Sequence, residues 1–148
     1  MTAPTRDIET KAYGIVSIQE QQVLHFPTGL FGFEHRHSYA LLDATTPPFY
    51  WLQSLEDVDL AFIMVNPYLV TPDYVLDIAE EDLAAVGSPD PSELVVFSIV
   101  TIPRDGAAVT CNLQGPVIVN RRERLARQAI SLSQNWRIKH PLGVGQGA

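Results

Sequence analysis

The apolar residues of this chain come in short runs, and turn chemistry closes almost every one of them. Lys11 to Ile18 and Val23 to Phe26 read as strands on either side of the polar turn Gln19-Glu20-Gln21-Gln22. Ser38 to Asp43 is a third, broken by Thr45-Thr46-Pro47-Pro48. Phe49 to Ser54 and Leu60 to Val65 flank the acidic turn Glu56-Asp57-Val58-Asp59 and read as a hairpin that ends at Asn66-Pro67. Leu94 to Ile102 is apolar on both faces, as a central strand is. Ala108 to Leu113 alternates, with Val109, Cys111 and Leu113 one way and Thr110 and Asn112 the other. Val117 to Asn120 and Arg127 to Leu132 complete the series around the basic turn Arg121 to Arg124. The period changes only once. Leu76, Ala79, Leu83 and Val86 recur at spacings of three and four, which predicts a helix near Glu80–Val86 after a short strand near Tyr74–Ile78, or one longer helix over both. Many short strands with little helix predict a mainly β fold, a barrel or a sandwich, with one or two short helices. At 148 residues the chain is most simply one domain, expected over 11–143 between a flexible N-terminus at 1–10 and a flexible C-terminus at 144–148.

One stretch breaks the strand-and-turn pattern. Phe26-Pro27-Thr28-Gly29-Leu30-Phe31-Gly32-Phe33-Glu34 sets four large apolar side chains among two glycines and a proline. Proline fixes φ and glycine accepts positive φ, so the backbone is suited to tight turning. Phe26, Leu30, Phe31 and Phe33 are too apolar for an ordinary solvated loop. The stretch therefore folds back onto the core, or presents a ridge that a partner covers.

Charge is segregated along the sequence. The net charge is −7, yet no Lys or Arg occurs between His37 and Pro103. That span holds Glu56, Asp57, Asp59, Asp73, Asp77, Glu80 and Glu81 among its acids, whereas Arg104, Arg121, Arg122, Arg124, Arg127, Arg137 and Lys139 come after it. An acidic surface repels nucleic acid and attracts basic proteins. The longest apolar runs are too short to span a bilayer, and the polar first ten residues contain no secretion-type apolar segment. A single cysteine, Cys111, excludes an internal disulfide. These features fit a cytoplasmic protein.

The residues offer little chemistry. His35 and His37 are two apart, but no third ligand follows at metal-binding spacing. Cys111 alternates with apolar neighbours and reads as a small buried residue. Gly29-Leu30-Phe31-Gly32 lacks the strand, lysine and helix context of a phosphate loop. No catalytic residues, metal or cofactor are therefore expected. A competing reading is a small β-barrel that binds RNA through the basic C-terminal third, with Arg121, Arg122, Arg124 and Arg127 on phosphates and Trp136 stacking on a base.

Three segments together resemble the FliW flagellar assembly factors. They are Phe26–Glu34; Phe49-Tyr50-Trp51-Leu52-Gln53-Ser54 running on to Asn66-Pro67; and Thr110-Cys111-Asn112-Leu113-Gln114-Gly115-Pro116-Val117-Ile118-Val119-Asn120. His140-Pro141-Leu142 is similar to the family's ending. The positions carrying the likeness are Gly29, Gly32, Phe33, Glu34, Gln53, Ser54, Asn112, Leu113, Pro116 and Asn120. Phe31 stands where the family often has proline, and Gly115 where it often has alanine. The resemblance implies a barrel-like, non-enzymatic binding protein. Its partners would be CsrA, a small basic RNA-binding repressor of flagellin translation, and flagellin itself. Neither membrane nor direct nucleic-acid binding is implied. On this reading Glu56, Asp57, Asp59, Asp73, Asp77, Glu80 and Glu81 face CsrA, and Leu30, Phe31 and Phe33 contact flagellin.

Overall fold

Eleven strands and two short α-helices make up the computed structural model, which describes residues 4–87 and 90–142. In chain order the first six strands are β1 (Thr5–Thr10), β2 (Gly14–Gln19), β3 (Val23–His25), β4 (Ser38–Asp43), β5 (Tyr50–Ser54) and β6 (Ala61–Val65). The helices α1 (Pro67–Val70) and α2 (Glu80–Ala85) come next. Then follow β7 (Leu94–Thr101), β8 (Thr110–Cys111), β9 (Val117–Asn120), β10 (Leu125–Gln128) and β11 (His140–Pro141).

Strands β3 to β7 form an antiparallel meander. The first half of β7 then pairs with β9, from Leu94↔Asn120 to Phe97↔Val117, and its far end pairs with β8. β9 pairs with β10, and β10 meets β3 in parallel through Leu125↔His25. Seven strands, β3–β4–β5–β6–β7–β9–β10, thus close into a barrel. Closure removes the unpaired edges that an open sheet would leave.

Side-chain alternation sets what fills it. Cross-strand partners point to the same face, so the register strings Leu24↔Tyr39, Leu41↔Leu52↔Phe62, Tyr50↔Met64↔Ile99 and Val95↔Val119↔Ala126 all lie inside. These residues, with Phe26 and Leu30, form one continuous cluster. The residues between them face outward and are covered in two places. The β1–β2 hairpin packs Ile8, Val16 and Ile18 over Ala40 and Leu42. Tyr74, Leu76, Trp136 and Leu142 pack over Val65, Val96 and Val100. The result is a barrel wrapped on two sides.

Three expectations change. Residues 5–10 are not a flexible end: β1 pairs with β2 position by position, and Ile8, opposite Val16, supplies the inward apolar contact. Tyr74–Ile78 alternates as a strand does, with Tyr74 buried and Val75 62% exposed, but no strand lies beside it and it forms no ladder. The last barrel strand is Leu125–Gln128 and not Arg127–Leu132, because its inward positions are Ala126 and Gln128. The expected C-terminal end at 144–148 lies outside the described residues. No described helix is long and apolar enough to cross a membrane.

Candidate partner-binding surface

The Phe26–Glu34 stretch closes one end of the barrel. Phe26 is fully buried with its ring edge-on to Tyr39 at 5.1 Å, and Leu30 is 1% exposed. The Gly29 N–H donates to the Phe26 carbonyl at 2.9 Å, and the Phe33 N–H to the Leu30 carbonyl at 2.8 Å. Gly29 has φ of 69°, and a Cβ there would lie 2.6 Å from the Phe33 carbonyl oxygen, so the turn requires glycine. Glu34 accepts from the Gly32 N–H at 2.8 Å and locks the second turn. The Tyr39 hydroxyl is buried at this end without a hydrogen-bond partner; burial pushes it up to about 12, and the Glu56 carboxylate adds to the rise.

This turn meets the Thr110–Asn120 segment through Gln128, which lies 97 residues after Phe31. The Phe31 N–H donates to Gln128 Oε1 at 3.0 Å, and Gln128 Nε2 donates to the Gly115 carbonyl at 3.1 Å. Asn112 Oδ1 in turn accepts from the N–H groups of Gln114 and Gly115 at 3.1 and 2.8 Å. Over this junction lies a groove of about 310 Å³ lined by Phe31, Ile130 and Ile138, with Asn112, Gln114 and Gly115 as its floor. Phe31 is 51% exposed, Ile130 57% and Ile138 59%. Phe33 is 40% exposed and rests edge-on against Phe62 at 5.2 Å. Of the three residues expected to touch flagellin, Phe31 and Phe33 are therefore accessible. Leu30 is not, because it belongs to the barrel core. Sequence reasoning missed Ile130 and Ile138. Nothing local ties either of them to Phe31: Ile130 sits between Ala129 and Ser131, and Ile138 between Arg137 and Lys139.

The acidic set does not form one face. Glu56, Asp57 and Asp59 sit on the β5–β6 turn, whereas Asp73 and Asp77 lie on the segment that leads into α2 and Glu80 and Glu81 in its first turn. α2 docks on β9 and β10: Asp82 pairs with Arg127 Nε at 2.7 Å, and Asn120 Nδ2 donates to the Val86 carbonyl at 2.7 Å. At least one barrel strand lies between the β5–β6 turn and the β9–β10 seat of α2 in either direction around the ring.

The β5–β6 turn is built by Gln53 and Ser54. Buried Gln53 donates through Nε2 to the carbonyls of Ser54, Val58 and Leu60, and its Oε1 accepts from the Lys11 N–H. Ser54 Oγ accepts from the N–H groups of Glu56 and Asp57 at 3.1 and 3.0 Å. Glu56 has a structural task, accepting from the N–H groups of Ser38 (2.9 Å) and His37 (2.5 Å). Those hydrogen bonds, Ser38 first, hold its carboxyl below the usual glutamate range.

Charge segregation in sequence is only partly kept in space. Arg36 approaches Asp57 at 3.8 Å, Arg122 pairs with Glu93 at 3.2 Å, and Arg124 lies 3.6 Å from Glu20. Among the described residues Asp59, Asp73, Asp77, Glu80 and Glu81 have no such cation. The same pairings engage three of the four arginines of the RNA-binding constellation. Arg122, Arg124 and Arg127 are committed to carboxylates, and Trp136 packs on Tyr74 at 4.9 Å instead of standing free to stack. Burial pushes the Cys111 thiol up to about 11, which leaves it a thiol at neutral pH. No group of three or more potential metal ligands gathers among the described residues.

A family model described as FliW protein matches residues 6–142. The chain belongs to the FliW family. A flagellar assembly factor FliW from Treponema denticola is 46% identical over 136 residues, covering 92% of each chain. One from Treponema pallidum is 44% identical, covering 92% of this chain and 91% of the relative. One from Leptospira biflexa is 40% identical, covering 89% and 88%. A crystal structure of the flagellar assembly factor FliW superposes with a TM-score of 0.84 at 29% identity, covering 93% of this chain and 96% of that one. The mainly β barrel is thus the FliW fold, and the Phe31–Gln128–Gly115 junction lies inside the region that defines the family.

Proposed function

We propose that this FliW-family chain serves flagellar assembly, the role its relatives are named for, by holding two protein partners in turn: the basic repressor CsrA and flagellin. The observation that carries this reading is the presence of two chemically unlike exposed surfaces on one rigid barrel. One is the apolar groove of Phe31, Ile130 and Ile138. The other is a set of carboxylates without ion-pair partners, densest at Asp73, Asp77, Glu80 and Glu81. An apolar groove suits one side of an amphipathic segment, as flagellin ends supply. Unpaired acids suit a protein whose own business is RNA phosphate, and they steer its approach. In the switch, flagellin occupies this protein while subunits accumulate. Once they are exported, the protein takes CsrA off its message. Flagellin is met before its export and CsrA acts on messages inside the cell, so both encounters belong to the cytoplasm.

Titration calorimetry with purified CsrA and flagellin, separately and in competition, tests the reading. Glu80→Lys with Glu81→Lys, and Asp57→Lys with Asp59→Lys, form two separate arms. At least one is expected to weaken CsrA binding about tenfold or more while sparing flagellin. Phe31→Ala is expected to weaken flagellin binding at unchanged melting temperature. No heat with either partner would overturn the proposal, as would CsrA association indifferent to both arms and to salt.

A further inference from the structure

The end of the barrel opposite the Phe26–Glu34 turn is open. Its interior forms a cavity of about 520 Å³. Leu41, Tyr50, Val95, Phe97 and Val119 form the wall, all on the inward face of their strands. The Tyr50 and Phe97 rings meet edge-on at 5.3 Å and give the wall an aromatic corner. The size falls within the usual range for small-molecule sites, and barrel mouths are a common place for them. The rim is polar and carries both signs: Arg121 at the end of β9 and Asp43 at the end of β4, with Asn66 beyond β6. Among the described residues neither Arg121 nor Asp43 makes an ion pair, although three of the neighbouring arginines do. Asn66 commits its Oδ1 to the Tyr68 N–H at 2.8 Å.

The geometry points to a binding site for a small apolar zwitterion, an amino acid with an aromatic or branched side chain, held in the barrel mouth. The side chain enters against Leu41, Tyr50 and Phe97. Arg121 takes the carboxylate, and Asp43 takes the ammonium group. One cation and one anion on a single rim select against a simple fatty or aromatic acid, which Asp43 repels, and against a simple amine, which Arg121 repels. The mouth shares no lining residue with the groove or the acids proposed for the two protein partners.

Titration of the full chain with L-phenylalanine, followed by NMR shifts of the Leu41 and Val95 methyl groups, tests this. Saturable binding at or below the millimolar range is expected. N-acetyl-L-phenylalanine, which lacks the ammonium, is expected to bind the native chain about fivefold or more weakly. In Asp43→Asn that discrimination disappears. L-phenylalanine amide, which lacks the carboxylate, loses a similar factor that disappears in Arg121→Ala. Leu41→Trp fills the mouth and abolishes binding. The two rim variants are surface changes, so they keep the test valid if Leu41→Trp perturbs folding. Shifts that fail to saturate, equal binding of all three ligands, or affinities unmoved by both rim variants would overturn the proposal.

Discussion

The two ends of this barrel are built from the same kinds of residue and are finished differently. At one end Phe26, Leu30, Tyr39 and Leu52 are 0–1% exposed. At the other, Leu41, Tyr50 and Val95 face the same interior and are only half-buried. The strands do not explain the contrast, because inward alternation is continuous from end to end. The connections explain it. The β3–β4 connection turns inward through Gly29 and is pinned by Gln128. The β4–β5 connection is drawn outward instead, where the Thr45 N–H donates to the Tyr13 hydroxyl at 2.9 Å. Barrel strands supply an apolar lumen, and the choice of loop decides whether that lumen becomes core or cavity.

Substitutions at the two ends sharpen the contrast. Phe26→Ala removes a fully buried ring and its partner contact with Tyr39, so denaturant unfolding should show a loss of about 3–5 kcal/mol. Gly29→Ala places a Cβ against the Phe33 carbonyl at positive φ; a loss of roughly 2 kcal/mol or more is expected in the same measurement. At the open end Leu41→Ala should lose only about 1–2 kcal/mol, because its side chain already meets solvent. A Leu41→Ala loss equal to that of Phe26→Ala would mean that the mouth is closed in solution.

The smallest expected effect concerns pH. Glu56, whose carboxyl is lowered by the Ser38 and His37 N–H groups, braces the chain where it leaves the plugging turn. A depressed folded value means that its contribution is present above the unfolded value of about 4.5 and is lost as pH falls below that through the folded value. Glu56→Gln should flatten this portion of the acid limb when urea midpoints are followed from about pH 7 to pH 3. An unchanged slope would remove Glu56 from the brace.

Strands β4 to β7 and β9 were legible because alternation, or apolarity on both faces, is a local property of the sequence. The plugging turn was legible for a similar reason, since Pro27, Gly29 and Gly32 specify turns while Phe26 and Leu30 demand burial. β1 was not legible: Thr-Arg-Asp-Ile-Glu-Thr is a strand only because β2 folds back along it. Nor was α1. Asn66-Pro67 was read as a strand terminator, but Asn66 accepts from the Tyr68 N–H and proline at the first turn starts a helix. Members of the acidic set were expected to face CsrA because they share one span of sequence free of lysine and arginine. Ring order separates them, and Arg36 and Arg127, from outside the span, neutralise part of it. Phe31 was visible as a candidate. Its neighbours Ile130 and Ile138 reach it only through long-range pairing, which spacing cannot report.

The seam between β3 and β10 joins the earliest part of the barrel to nearly the latest, through Leu125↔His25 and a 2.9 Å bond from the His25 N–H to the Arg124 carbonyl. During synthesis the ribosome delivers Phe26 and Leu30 about a hundred residues before Gln128, the side chain that anchors their turn. Until then the nascent meander has two raw margins and a greasy loop with nowhere final to go. The last third of the polypeptide acts as the clasp of the whole ring, and a chain truncated before Leu125 should be handled by the cell as an unfinished sheet.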